Sequence, residues 1–435
     1  MTDMQSENRS KSDNIQGNRS VKQLKSALEA TARQKTWFTQ IRERIKDEPF
    51  AIAQATAPHE IFLAMDIPVV VTQWWAAIIA AKRLSPFYLD LLTARGYRNL
   101  SSASYDGALP LACTMDHNPE RAPWGGLPKP VVLVAELANN NTPKIFELWA
   151  REYGTNLFVY EKTLPTKYYP GWWERIRNHW DEMIEPYRLD LRVEEYKALI
   201  RFLEISTGKA FSQSKFVELM ELENEQEDYF RMARDLIAQT IPCPVSVPDQ
   251  VAAVMPLQWH RGTQWAVEGA KNFYEEVKER AENGIAACKN EKIRLMWLGA
   301  GLWHNTAFYQ YFEEKYGAVF VYSGYLSMAA DVFARDLLGD PLRALAGRHV
   351  LFGGGDDWQV KEAKLHRVDG LVMMESEGGS FGTSHYFTQK AFEDAGIPVI
   401  SIKAENVDSR KWDDETIKLQ VSNFIEKRLR SRQHN

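Results

Sequence analysis

Cysteine is scarce in this sequence of 435 residues, and its three cysteines stand far apart. Cys113, Cys243 and Cys288 form neither a CxxC pair nor the even-numbered set of a disulfide framework, which favours a reducing compartment. Long apolar segments are also missing. The longest, residues 67–81, is interrupted by polar residues and is shorter than the roughly 20 residues that a membrane span needs. The N-terminus has no apolar signal core, so we expect a soluble, cytoplasmic protein with no membrane partner.

A strong charge of either sign is absent as well. The chain has 53 basic and 58 acidic residues and a formal net charge of −5, so electrostatics give no reason to expect nucleic acid or an anionic membrane as a partner. The sequence does contain enough apolar residues, 45%, for a globular protein, and its length predicts two or three domains.

Two stretches have the pattern of a βαβ unit of a parallel sheet. Residues 127–165 run from an apolar segment through a polar loop and an amphipathic segment to Gly154 and a second apolar segment. Residues 292–323 repeat this order, and Gly317 is placed to end the helix. Each stretch therefore predicts a strand, a helix and a parallel strand.

Two further units are predicted near the C-terminus. The third has a strand at 349–353 and a helix that reaches Leu365. The fourth has a strand at 371–374, a helix from about residue 383 that stops before Gly396, and a strand after that glycine. The predicted fold class is α/β, with two lobes that contain parallel sheets and are joined by a helical region. The predicted parts are a disordered tail at 1–22, N-terminal helices and a first lobe at 23–170, a helical region at 171–290 and a second lobe at 291–435.

Ligands of open α/β sheets bind where loops follow the carboxyl ends of the strands. Four such loops stand out, at Glu136–Thr142, Gly299–Asn305, Gly353–Asp357 and Glu375–Ser380. Their glycines let backbone amides approach a ligand, and the helix that follows favours an anion at its N-terminus. The same residues also make ordinary turns and helix caps. The segment GAGLWHN lacks the third glycine of GxGxxG, which argues against a dinucleotide site.

Few single residues suggest a chemistry. His260 and His304 are candidates for acid–base catalysis, although an isolated histidine also serves as a structural residue. Cys113 has no local signature of a nucleophile and fits a buried thiol.

Several longer strings carry a resemblance to a known family. They are NNNTPKIFELWAREYGTNLFV, WHRGTQWAVEGAKNFYEEVKER, IRLMWLGAGLWHNTAFYQYFEEKYGAVFVYSGY and VDGLVMMESEGGSF, and with PHEIFLAMDIPVVV they extend over about residues 58–430. In order and spacing the chain resembles the benzoyl-CoA reductase and 2-hydroxyacyl-CoA dehydratase family, most closely the B-type subunit of class I benzoyl-CoA reductase. The resemblance implies two flavodoxin-like or Rossmann-like lobes, a heterodimer with a paralogous subunit, and an acyl-CoA thioester as ligand.

The resemblance also implies a [4Fe–4S] cluster held by three cysteines, which this chain does not have at the matching positions. The first position falls near Ser101 or Ser102, the second on Asn139, and the third on Gly378 or Gly379. Thiolates are the ligands that suit iron–sulfur clusters, and serine, asparagine and glycine replace them poorly. We therefore expect no cofactor on this chain and a cluster, if any, on the paralogous partner.

Three functions remain open at this point. The chain is a cluster-free subunit of a heteromeric acyl-CoA enzyme, a metal-independent enzyme that acts alone on an aromatic or short-chain acyl-CoA, or a non-catalytic scaffold or binding protein. For catalysis we predict Glu136, His304 and Glu375 as acid or base groups, with Glu377 as an alternative. For CoA phosphates the candidates are Lys129, Lys144 and Arg261, unless these are solvated surface residues. The residues predicted to bind substrate are Ser102, Asn139, Trp303, Gly378, Gly379 and Ser380.

Overall fold

The computed structural model describes residues 19–97, 102–137, 141–167, 169–350, 355–376 and 385–429. In these ranges the chain forms two sheets, each with four strands that are all parallel. Helices pack on both faces of each sheet, which confirms the predicted α/β class with two lobes. None of the described helices is both long and apolar enough to cross a bilayer.

The first lobe surrounds a sheet of four short strands. In chain order its elements are α1 (Lys25–Arg44), β1 (Ala51–Ala53), α2 (His59–Ala64), β2 (Val69–Val71), α3 (Thr72–Ala81), α4 (Ser85–Ala94), α5 (Ser102–Met115), β3 (Val132–Leu137), α6 (Thr142–Tyr153) and β4 (Asn156–Glu161). The strands lie in the order β2-β1-β3-β4. Side chains alternate between its faces, so that Ile52 and Leu133 enter one core while Ala53 and Val134 enter the other.

The segment between the two lobes is helical. Its elements are α7 (Trp172–Arg175), α8 (Trp180–Met183), α9 (Pro186–Thr207), α10 (Gln213–Gln239), α11 (Val247–Gln258) and α12 (Gln264–Glu282). The N-terminal helix α1 packs against α11 and α12. Of the predicted tail, Ser20 and Val21 donate backbone hydrogen bonds to Thr306 Oγ1 (3.0 Å) and Gln310 Oε1 (2.8 Å), and residues 1–18 lie outside the described ranges. The predicted domain boundaries stay a prediction.

The second lobe repeats the design of the first. Its elements are β5 (Ile293–Leu298), α13 (Phe308–Tyr316), β6 (Ala318–Tyr322), α14 (Gly324–Asp331), α15 (Pro341–Val350), α16 (Asp356–Leu365), β7 (Gly370–Glu375), α17 (His385–Asp394), β8 (Val399–Lys403) and α18 (Asp414–Phe424). The strands lie in the order β6-β5-β7-β8.

The βαβ units predicted at 127–165 and 292–323 are confirmed as β3–α6–β4 and β5–α13–β6. Gly154 and Gly317 follow the two helices in the left-handed conformation, with φ of 59° and 63°. At Gly317 a Cβ atom would lie 2.1 Å from the carbonyl oxygen of Asn290, so the close approach of these two backbone segments requires glycine.

The strand predicted at 349–353 is wrong where it is described, because His349 and Val350 are the last residues of α15. A short apolar run does not distinguish a strand from a buried helix, and here helical geometry lets Ala344 and Leu345 enter the core of the first lobe. Residues 351–354 lie outside the described ranges. The predicted end of the next helix at Leu365 and the strand of the fourth unit, β7, are confirmed.

Both sheets have the same winding. In each, the first strand along the chain lies between the second and the third, so the connections leave the central pair in opposite directions. Such a reversal opens a crevice at the carboxyl ends of the central strands, and in α/β proteins this crevice is where ligands bind. The fold therefore offers two crevices, one beyond β1 and β3 and one beyond β5 and β7.

Candidate functional site

The two crevices contribute to one cleft between the lobes, with a volume of about 190 Å³. Thr56, just after β1, and Gln73, just after β2, line it from the first lobe. Ala300, just after β5, and Asn406, just after β8, line it from the second. Since each of these residues follows the carboxyl end of a strand, the cleft lies at the ligand-binding edge of both sheets.

Aromatic side chains form the second-lobe wall of the cleft. The ring centroids of Trp303 and Tyr325 are 5.7 Å apart, with the rings tilted by 41°. The Gly301 amide donates to the Tyr325 hydroxyl (2.9 Å), and the Trp303 amide donates to the Asn406 carbonyl (3.1 Å). A Cβ atom on Gly301 would come within 3.2 Å of the Trp303 indole. The loop after β5 is thus shaped to hold a flat apolar wall in place.

Asp106, on α5, is the acid of the cleft. Burial raises the pKa of its carboxyl group to about 6. Its carboxylate receives no hydrogen bond or ion pair from the described part of the chain. An acid with this pKa exchanges its proton near neutral pH, which suits a general acid or base. Sequence reasoning missed Asp106, because no motif surrounds it.

Arg261 brings a positive charge to the cleft from the turn between α11 and α12. Its guanidinium group is 2% exposed and donates from Nε to Glu60 Oε1 (2.8 Å) and from Nη2 to the Ala57 carbonyl (2.9 Å). It also contacts Nδ1 of His59 through Nη1 (3.0 Å). The alternative that Arg261 is a solvated surface residue is therefore wrong.

Arg261 is one member of a buried cluster of two arginines and two glutamates. Arg348 contacts both Glu60 (2.9 Å) and Glu223. Burial, with Glu60 beside it, raises the pKa of Glu223 well above its usual range. Against the effect of burial, the two guanidinium groups hold the pKa of Glu60 well below its usual range. Both carboxyl groups face both guanidinium groups, so the cluster holds two buried cations beside two coupled acids next to the cleft.

The side-chain oxygen of Gln258 is a buried acceptor in the cleft wall with no partner among the described residues. Gln258, near the end of α11, is 8% exposed and lines the cleft, and its Oε1 accepts no hydrogen bond within the described residues. An unpaired buried acceptor costs free energy unless a ligand or water supplies a donor. The cleft therefore has apolar, acidic, cationic and acceptor groups around a small volume.

The three predicted catalytic residues lie outside the lining of this cleft. Glu136, at the end of β3, is buried and lies 3.5 Å from Arg192, and burial raises its pKa. His304 is buried, its Nε2 hydrogen-bonds the Glu405 carbonyl (2.9 Å), and burial lowers its pKa. Glu375 is half-buried at the end of β7. Their catalytic roles stay predictions.

Of the predicted substrate-binding residues, Trp303 lines the cleft. Ser102 is the first residue of α5, four residues before Asp106. The other predicted residues lie outside the described ranges, as does the alternative acid Glu377; they are Asn139, Gly378, Gly379 and Ser380.

The described thiols do not fit an iron–sulfur cluster. Cys113 is buried in the core of the first lobe, whereas Cys243 is buried, and Cys288 partly buried, against the core between the helical segment and β6. Burial raises the pKa of all three thiols, which disfavours the thiolate that binds iron. None of them lines the cleft. Among the described residues, no three histidine, cysteine, aspartate or glutamate side chains gather in a way that could hold a metal ion.

Fold and cleft together define a two-lobed α/β protein with a cleft between two similarly wound sheets. The family described as 2-hydroxyglutaryl-CoA dehydratase, D-component, matches residues 54–427, and the chain belongs to this family. The chain is also similar to the (R)-2-hydroxyisocaproyl-CoA dehydratase alpha subunit of Clostridioides difficile, with 22% identity over 400 residues that cover 88% of this chain and 91% of that protein. The resemblance to the 2-hydroxyacyl-CoA dehydratase family is thereby confirmed, while the closer likeness to a benzoyl-CoA reductase subunit stays a prediction.

Proposed function

We propose that this chain is a cluster-free subunit of a heteromeric enzyme that processes an acyl-CoA thioester, and that the cleft between its lobes binds the acyl group. The observation that carries this proposal is a cleft at the carboxyl edges of both sheets, with an acid whose pKa is about 6 and with no thiol among the described residues that line it. The similarity to a protein named as the alpha subunit of an acyl-CoA dehydratase supports both the ligand class and the need for a second subunit.

The size of the cleft limits what it accepts. A volume of about 190 Å³ is below the roughly 300–1,000 Å³ of pockets for drug-sized ligands and near the roughly 150 Å³ cavity that holds benzene. It suits a single ring or a short branched chain and excludes the rest of CoA. The indole of Trp303 and the ring of Tyr325 offer a flat wall for such a group.

The polar residues of the cleft have different roles at the thioester. The guanidinium group of Arg261, which lines the cleft, stabilises negative charge that develops on the thioester oxygen. Asp106 donates or accepts a proton at the acyl group. The aromatic wall excludes water, which strengthens both interactions.

For the partner, we propose a paralogous subunit that carries any [4Fe–4S] cluster, with none on this chain. The poor fit of the described thiols to a cluster supports this division. Two adjacent rings on the first turn of α17, Tyr386 and Phe387, are 69% and 63% exposed. The helix follows β7, so these rings stand near the ligand-binding edge, and exposed aromatic residues are enriched in protein interfaces.

The variant Tyr386→Ser/Phe387→Ser should therefore bind the partner subunit more weakly, by about tenfold or more if both rings are buried on association. The measurement is the Kd of the purified partner by isothermal titration calorimetry. Leu419→Ser is the matched control, because Leu419 is also exposed (62%) but lies on α18. If the wild type and the double serine variant bind the partner subunit with equal Kd, these rings do not lie in the interface.

Thermal unfolding with a panel of acyl-CoA thioesters tests the function itself. A ligand that binds only the folded chain stabilises it by about 2.7 kcal/mol at a hundredfold excess over Kd, so a matching aromatic or branched acyl-CoA should raise the Tm. Turnover by the chain alone would favour the stand-alone enzyme, a function that Asp106 also fits. If no thioester raises the Tm with or without the partner, the chain is a scaffold and the proposal fails.

A further inference from the structure

Phe333 lines the cleft from a segment between α14 and α15 that forms neither helix nor strand. Its amide donates a hydrogen bond to Oε2 of Glu227 (2.6 Å), which also accepts one from the amide of Ala334 (2.6 Å). The Phe333 carbonyl accepts a hydrogen bond from Nε of Arg348 (2.6 Å). Glu227 and Arg348 are both buried. Because buried side chains bind both backbone groups of Phe333, its ring has a fixed place in the cleft wall.

Phe333 is also tied to the cluster that holds Arg261. Arg348 is 2.9 Å from Glu60 Oε1, and the same oxygen accepts a hydrogen bond from Nε of Arg261 (2.8 Å). The guanidinium carbon of Arg261 lies 5.4 Å from the centroid of the Phe333 ring, within the range of a cation–π contact. A group that binds at Arg261 in the cleft therefore lies next to this ring.

The position of Arg261 determines which part of an acyl group meets the ring. The proposed function places the thioester oxygen at Arg261. The carbon next to the thioester carbonyl, C2, is two covalent bonds from that oxygen, so it stands beside the Phe333 ring. The more distant carbons then lie against Trp303, Tyr325 and Met328, which line the cleft from the second lobe. Tyr325 and Met328 are three residues apart on α14 and so lie on one face of that helix.

We propose that Phe333 selects acyl groups by the substitution at C2 and excludes those that are fully branched there. This assignment rests on the proposed function. A C2 that carries at least one hydrogen can turn that hydrogen towards the ring, whereas a fully branched C2 presents a methyl group in every orientation. A wall packed at the density of a protein interior has no room for an extra methyl group without strain.

The test uses the CoA thioesters of pentanoic, 3-methylbutanoic and 2,2-dimethylpropanoic acid. These acids are isomers, so their acyl groups differ in where they branch and not in the number of carbons. Calorimetric titration of the full chain, with and without its partner subunit, gives each Kd. The wild type should bind the 2,2-dimethylpropanoyl thioester about tenfold or more weakly than the 3-methylbutanoyl thioester, since one carbon in an apolar pocket changes affinity about 10–200-fold. Phe333→Ala should remove most of this difference, and Phe333→Leu should remove part of it.

Two further alanine variants serve as controls. Met328→Ala enlarges the cleft beside α14 and should change the Kd of the pentanoyl thioester, while the penalty for full branching at C2 remains. Phe211→Ala removes a partly buried ring that packs against the core of the first lobe, as Phe333 does, but that lies outside the cleft lining. It should leave all three Kd values unchanged.

If the wild type binds the 3-methylbutanoyl and 2,2-dimethylpropanoyl thioesters with equal Kd, the ring does not close on C2 and the assignment is wrong. It is also wrong if the two Kd values differ but Phe333→Ala keeps the difference. In either case the chain binds acyl-CoA, so the proposed function stands. If no thioester binds to the wild type or to Phe333→Ala, with or without the partner, the proposed function fails and this assignment fails with it.

Discussion

Asp106→Asn should abolish most turnover while it makes the folded chain more stable. The carboxyl group faces the cleft and titrates near pH 6, whereas an amide of the same shape carries no exchangeable acidic proton. General acid–base groups contribute about 10²–10⁴-fold to rate, so we expect kcat to fall about 100-fold or more with little change in KM. Steady-state kinetics of the chain, with and without its partner subunit, measure the loss.

The gain in stability follows from the direction of the pKa shift. The folded-state pKa of about 6 is above the ordinary value of 3.8, so the folded chain binds more protons than the unfolded chain between these two values. Stability therefore falls as pH rises through this window and stays lower above it. Asparagine avoids this loss, and the free energy of unfolding at pH 7.5 should increase by about 1–3 kcal/mol. At pH 3 the difference should vanish.

Asp116→Asn provides the control with the opposite sign. Asp116 follows α5, and the hydrogen bonds from Arg121 hold its pKa below the ordinary value. Loss of the Asp116 carboxylate should lower the free energy of unfolding at pH 7.5. Urea unfolding of both variants and of the wild type measures the two changes. An Asp106→Asn chain that is less stable at pH 7.5 and retains full turnover would contradict the role given to Asp106.

The second large effect concerns the buried pair of carboxyl groups. Glu60→Gln and Glu223→Gln should each lower the free energy of unfolding only slightly, whereas the double variant should lower it strongly. The pKa of Glu223 is raised well above its usual range while that of Glu60 is held below it, so Gln at 223 replaces the carboxyl group that ionises less readily. When Glu60 is replaced, Glu223 ionises in its place and still faces Arg348 and Arg261. We expect each single variant to cost about 2 kcal/mol or less.

The double variant leaves two buried guanidinium groups without a carboxylate between them. An uncompensated buried charge typically costs about 3–5 kcal/mol, so the loss should exceed the sum of the single losses by about that amount. Urea unfolding of the four chains of this double-mutant cycle gives the coupling energy directly. Additive single effects would show that the two carboxyl groups do not share one charge.

The parts of the fold that sequence reasoning predicted are those with local signals. The strands β3, β5 and β6 are apolar runs, and Gly154 and Gly317 mark the ends of the helices between strands. The strands β1 and β2 were not predicted, because three residues each are too short to show a period. The segment 349–353 was predicted as a strand because a short apolar run fits a strand or a buried helix equally well. Its described residues, His349 and Val350, belong to α15, which packs against the core of the first lobe.

The candidate site could be predicted only to the edge of the sheets on which it lies. Trp303 was predicted from its position in a loop at the end of a strand, and it does line the cleft. Asp106 and Arg261 obtain their chemistry from the folded chain, since burial raises the pKa of Asp106 and Glu60, 201 residues away in sequence, pairs with Arg261. No spacing in the sequence encodes such contacts.

The shared winding of the two sheets has a consequence for how this family diversifies. In both lobes the side chains that hold the layers together lie along the strands, in cores below the carboxyl edge, and the residues that meet the cleft follow the strand ends. Replacement of a residue beyond a strand end leaves those cores intact. Descent can thus exchange one reactive group for another on an unchanged framework.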